Sequence, residues 1–191
     1  MNEKLKHGMP VIQCIEQMIG TSNLNKRQIL LLFAYLIAVI IGMTIIHEAG
    51  HFVAALALGV PLSQIKIELI GGNPGVTISN SVVSGSLTIM HYAGGFSAAF
   101  ILIVLYFVLW SRKYHASSSL FLWFLGFITM GFSGLQIGYA IAEGLFHAAY
   151  VRYANSPTAA SNIIIGLFGV LGLTVHFQFC RLSKLKKKGS L

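Results

Sequence analysis

Four long apolar runs organise the chain: residues 29–46, 92–110, 120–142 and 163–179 contain no Asp, Glu, Lys or Arg. Each approaches the roughly 20 residues that a helix needs to cross the hydrocarbon core. The pattern predicts spans near 28–52, 91–110, 119–145 and 162–180. The first helix runs on without a breaker through HEAGHFVAALALG to Gly59, so its last turns should leave the membrane before Pro61 ends it. The period then changes. SQIKIEL at 63–69 alternates Ile65, Ile67 and Leu69 with Gln64, Lys66 and Glu68, GGNPG is dense in turn residues, and VTIS at 76–79 alternates again. This predicts a β-hairpin over 63–79, held at the interface or in a protein-lined cavity, because open sheet edges do not face lipid.

The expected fold is therefore an all-α integral membrane protein of about four transmembrane helices, with a membrane-associated β-hairpin between the first and second. A single embedded domain would occupy 28–180. The polar segment 1–27 precedes it, with Val11, Ile12, Ile15 and Ile19 placed either on a short interfacial helix or in a poorly ordered tail. A basic tail, 181–191, follows. The first run has no small-residue cleavage site after it, so it reads as a retained span with the chain starting near Met1.

Composition agrees: 55% of residues are hydrophobic and 9% charged, against about a quarter charged in soluble domains. The net charge of +8 would suit nucleic acid, but its distribution favours the bilayer. Lys4, Lys6, Lys26 and Arg27 precede the first span, Arg112 and Lys113 follow the second, and Arg181, Lys184, Lys186, Lys187 and Lys188 follow the fourth. With four spans these clusters share one side. The positive-inside rule makes that side, and both termini, cytoplasmic. Lipid is the partner this implies, and no nucleic acid is expected. Cys14 and Cys180 show no CxxC or zinc spacing and leave the redox compartment open.

Chemistry enters with HEAGH at 47–51. His47 and His51 are one helical turn apart and can bind one metal ion, and Glu48 beside them can take a proton from metal-bound water, the arrangement of a zinc peptidase. Ionisable side chains in an apolar run are expensive and by default mark function. A third ligand is required. The chain has no aspartate, and of its four acidic residues besides Glu48 (Glu3, Glu16, Glu68 and Glu143) only Glu143 lies in a later span; His91, His115, His147 and His176 compete with it. His147, one turn from Glu143, competes most closely. Depth favours Glu143. His47 follows Arg27 by 20 residues, about 30 Å of helix, and Glu143 follows Leu120 by 23, about 34 Å.

These segments resemble the site-2 proteases, intramembrane zinc metalloproteases, over roughly residues 29–150. HEAGHFVAALALGV resembles the family's first core helix, IKIELIGGNPGVTIS its β-hairpin, and HYAGGFSAAF the small-residue start of its second core helix. GYAIAEG falls where the family carries an Asp-Gly ligand motif. The resemblance implies His47, His51 and Glu143 as ligands of one Zn2+ per chain and Glu48 as base. In this chain the carboxylate is glutamate, the nearest amide before it is Gln136, and no proline lies in the third span. Bacterial members commonly hold the metal near the cytoplasmic face, whereas the basic clusters here put it near the other.

The activity expected is hydrolysis of a peptide bond in or beside a transmembrane segment of a protein substrate. Ile65, Ile67, Gly71, Gly72 and Gln136 are the expected substrate contacts, with the hairpin pairing to an unwound segment as an added strand. The alternatives are a non-catalytic binding subunit and an ion-conducting protein using the same residues. Substrate, pathway and oligomeric state have no signature in the sequence.

Overall fold

The computed structural model describes residues 24–70, 73–78, 87–109, 119–152 and 159–188. In chain order the elements are α1 (Lys26–Ala57), a 3-10 turn (Leu62–Gln64), β1 (Ile65–Ile70), β2 (Asn73–Ile78), α2 (Leu87–Leu109), α3 (Leu120–Arg152) and α4 (Ala159–Lys188). Four stretches, Lys26–Ala57, Ile89–Leu109, Leu120–Phe146 and Ala159–Cys180, are long and apolar enough to cross a membrane. The protein is a multi-pass, all-α membrane protein with a two-stranded antiparallel hairpin between its first two spans.

Both ends of α1 are specified locally. Asn25 caps the start: its side chain accepts from the Gln28 amide at 2.9 Å, and Gln28 Oε1 accepts from the Asn25 amide at 3.0 Å, so two orphan donors are satisfied reciprocally. At the other end Gly59 adopts φ +82. Its N–H reaches the Leu56 carbonyl, and the Val60 N–H reaches the Ala55 carbonyl. This double closure ends a helix firmly and favours glycine at the left-handed position. The chain turns at Pro61, and Val60, Ile65 and Met90 pack with Ala55 to bind the hairpin to α1 and the start of α2.

On α1 the buried residues are Val39, Met43, His47, His51 and Ala55, a stripe four residues apart that faces the other helices. Ile29, Leu30, Phe33, Ile37, Ile41, Ile45 and Val53 lie on the exposed remainder, which suits lipid. α3 runs between α2 and α4. Val39 and Met43 of α1 meet Ala98 and Leu102 of α2, with Phe132 of α3 beside them. Lacking a hydrophobic drive in lipid, helix pairs join by close approach and polar contacts. Gly138 and Gly172 press on backbone of the facing helix in the α3–α4 pair. Tyr35 of α1 and Thr129 of α3 share a hydrogen bond of 2.6 Å.

Several boundaries differ from expectation. Ser63 and Gln64 lie in the 3-10 turn rather than the first strand, and Asn73–Gly75, read as turn, open β2. α4 continues through the basic segment to Lys188, because nothing between Cys180 and Lys188 breaks a helix and its leucines and lysines favour one. α3 extends to Arg152 across a non-helical residue, Phe146 (φ −114, ψ 18). The segment carrying Val11, Ile12, Ile15 and Ile19, together with Gly71 and Gly72, lies outside the described residues.

Candidate metal centre

The stripe on α1 carries both histidines inward, and each is 8% exposed. Glu143, from the late part of α3, meets them. Its Oε2 lies 3.1 Å from His47 Nε2 and 3.3 Å from His51 Nε2. One donor atom from each of the three residues falls within 4.8 Å of the other two. Ligands about 2.0–2.1 Å from a tetrahedral metal stand about 3.3–3.4 Å apart. The two nitrogen–oxygen separations match such edges.

The opposite ring nitrogens decide which atoms are available. His51 Nδ1 lies 2.7 Å from the Met90 carbonyl, which can only accept, so Nδ1 bears the proton. His47 Nδ1 lies 2.9 Å from Gln136 Oε1 and donates to it. In a neutral imidazole that assignment leaves Nε2 as a lone pair, and in both rings Nε2 points at the Glu143 carboxylate. Two nitrogen lone pairs and an anionic oxygen this close repel unless a cation lies among them, either a metal ion or added protons. His-His-Glu is thus a group able to hold a metal ion, with outer partners of the kind that orient metal-binding histidines.

Space for this arrangement comes from α2. Gly94 lies against the His51 ring, and a methyl group there would overlap the imidazole and crowd the His47 carbonyl at 2.8 Å. Gly50 on α1 is equally tight, its missing methyl falling 2.8 Å from the Ala93 carbonyl. The small residues of HYAGGFSAAF therefore bring α2 close enough for the Met90 carbonyl to reach His51.

Glu48, next to His47 but outside the three-ligand group, accepts a hydrogen bond from the Val76 amide of β2 at 3.1 Å. Tyr139 presents its ring to His47 nearly edge-on, with centroids 6.3 Å apart. Comparison with family models, with curated proteins and with solved structures finds no match for the chain.

The remaining expected residues are spread around this centre. Gln136, expected at the substrate, is 9% exposed and hydrogen-bonded to His47. Ile65 is buried in the anchor of the hairpin, while Ile67 is 67% exposed. His176 sits far along α4, where its Nδ1 meets Tyr106 at 3.1 Å and its Nε2 meets Cys180 Sγ at 3.7 Å. His115 and the His147 side chain lie outside the described residues. The sequence reading missed the Met90 carbonyl and the Val76 amide, because a backbone group leaves no mark in residue type. Gly94 did leave one, within the small-residue run, but only as a packing surface.

Proposed function

We propose that this protein is an intramembrane zinc metalloprotease of the site-2-protease kind. The observation that carries the proposal is the convergence of HEAGH on α1 with Glu143 on α3, whose Oε2 lies 3.1 and 3.3 Å from the two histidine nitrogens. A donor set of two imidazoles and one carboxylate suits zinc and leaves a coordination position open. Zinc bound there supplies Lewis acidity, polarising a carbonyl and acidifying water. His47 and His51 hold the ion, kept in the required tautomer by Gln136 and Met90. Glu48, anchored by β2 at the edge of the group, takes the proton from the attacking water and delivers it to the leaving amine.

The substrate is a protein segment in or beside a membrane span. Backbone amides of a helix are hidden in its own hydrogen bonds, so the segment has to unwind locally before it is cut. The hairpin beside Glu48 offers a strand edge to receive it. The basic clusters around the first, second and fourth spans support, by the positive-inside rule, an orientation with both termini cytoplasmic and the metal toward the opposite face.

The test is metal analysis of detergent-purified protein combined with cleavage in proteoliposomes. One zinc per chain, with Glu48→Gln retaining the zinc and losing cleavage, is the expected result. Undiminished cleavage by Glu48→Gln would remove proteolysis at this site. Zinc without turnover by the wild type would favour a binding subunit, and ion flux without cleavage would favour conduction.

A further inference from the structure

The hairpin register contains a competition for one hydrogen-bond donor. β1 and β2 pair antiparallel, with Ile67 opposite Val76, Leu69 opposite Pro74 and Ile65 opposite Ile78. In such a ladder alternate residues send both backbone polar groups outward. Pro74 has no N–H, which a strand tolerates at an outward-facing position. Val76, two residues on, sends its N–H away from β1 to Glu48 Oε2 at 3.1 Å. Residues 74, 76 and 78 therefore form the outer edge of β2, and the Glu48 carboxylate occupies the place that the carbonyl of a neighbouring strand would take.

The outer edge of β2 is where the proteolytic reading seats the extended substrate segment, and we propose that the Val76 amide passes from Glu48 to that segment when it pairs. The proposal rests on the proteolytic reading for the role of Glu48. An extended peptide is the occupant because the edge supplies backbone donors and acceptors at strand spacing, and the acceptor already on it lies where a peptide carbonyl would lie. One amide proton serves one strong acceptor, so pairing of the segment and tethering of Glu48 oppose each other, and the coupling is reciprocal. A carboxylate is the stronger acceptor. The segment prevails by adding bonds to the Ile78 amide and the Val76 and Pro74 carbonyls. Glu48 stays fastened to the hairpin until a strand is in place and turns free beside the metal ligands once it is, which ties release of the base to correct seating of the chain to be cut.

The experiment measures binding of a fluorescein-labelled octapeptide of alternating Val and Thr to the full-length protein in detergent, by anisotropy. Two variants without the general base are compared: Glu48→Gln, whose amide oxygen still accepts from Val76, and Glu48→Ala, which leaves the Val76 amide unclaimed. Glu48→Ala should bind the peptide about tenfold more tightly than Glu48→Gln. Adding Val76→Pro, which removes the outward N–H without touching the ladder to β1, should weaken binding and erase the difference. If Val76→Pro loses its metal, peptides N-methylated on alternate residues replace it, and only one of the two alternating sets should abolish binding. Equal affinities for Glu48→Ala and Glu48→Gln, or a difference that survives Val76→Pro, would overturn the proposal. Failure of the wild type to cleave any substrate, with the tenfold difference intact, would instead remove the protease reading and leave the docking edge standing.

Discussion

Glu143 and His47, 96 residues apart in sequence, meet at 3.1 Å between two helices that are not neighbours in the chain. Either residue alone would be a charged or polar defect in an apolar span. Together with His51 they form one site. Glu143→Ala should lower zinc occupancy sharply, Glu143→Asp should keep part of the activity, and His147→Ala should keep most of both. Zinc content and chelator competition on the purified variants measure this. Loss of zinc in His147→Ala with retention in Glu143→Ala would move the third ligand to His147.

Gln136 accepts from His47 Nδ1 at 2.9 Å, and on the proposed function it would act on the metal through that ring. Gln136→Leu leaves the buried Nδ1–H of His47 without its acceptor and should weaken metal affinity by about 10–100-fold. Gln136→Glu keeps an acceptor at that place and should recover most of the loss. An unchanged affinity in Gln136→Leu would show that the ring is held by its packing alone.

Gly94 and Gly42 make a matched pair of alanine substitutions. A methyl at Gly94 meets His51, whereas one at Gly42 meets nothing within 4 Å. Gly94→Ala should force α1 and α2 apart, costing about 1–3 kcal/mol and lowering zinc affinity with it. Gly42→Ala should leave zinc binding intact and stabilise by up to about 1 kcal/mol. Thermal unfolding in detergent, with and without chelator, separates the two.

Side-specific labelling tests the orientation. With Cys14 and Cys180 replaced by serine, a cysteine introduced at Asn73 should react with an impermeant maleimide only from the non-cytoplasmic side. Reaction from the cytoplasmic side alone would invert the whole arrangement and restore the orientation common among site-2 proteases.

Much of this architecture was legible because its signals are local. Run length gave the spans, alternation gave the hairpin although Asn73–Gly75 of GGNPG belong to β2 rather than to a turn, and HEAGH gave two of the three residues of the site. The inward face of α1 was not legible from hydrophobicity. The helix is apolar all round, so lipid-facing Ile41 and buried Met43 look alike in sequence, and only the two histidines mark the stripe. Gln136 was placed at the substrate by its position before Glu143. Its bond to His47 depends on how α3 is rotated against α1, which glycine contacts elsewhere settle. The reach of α4 to Lys188 was hidden because lysines that end a span do not end a helix.

The order of the ligands along the chain bears on biosynthesis. His47 and His51 enter the membrane with the first span, and Glu143 enters only with the third. A ribosome-bound chain that has inserted α1, the hairpin and α2 already carries HEAGH, yet it lacks the carboxylate that completes the donor set. The capacity to hold a metal ion with all three side chains is thus deferred until the chain has been made as far as Glu143, so the two histidines wait in the membrane through two further helices before their carboxylate partner arrives.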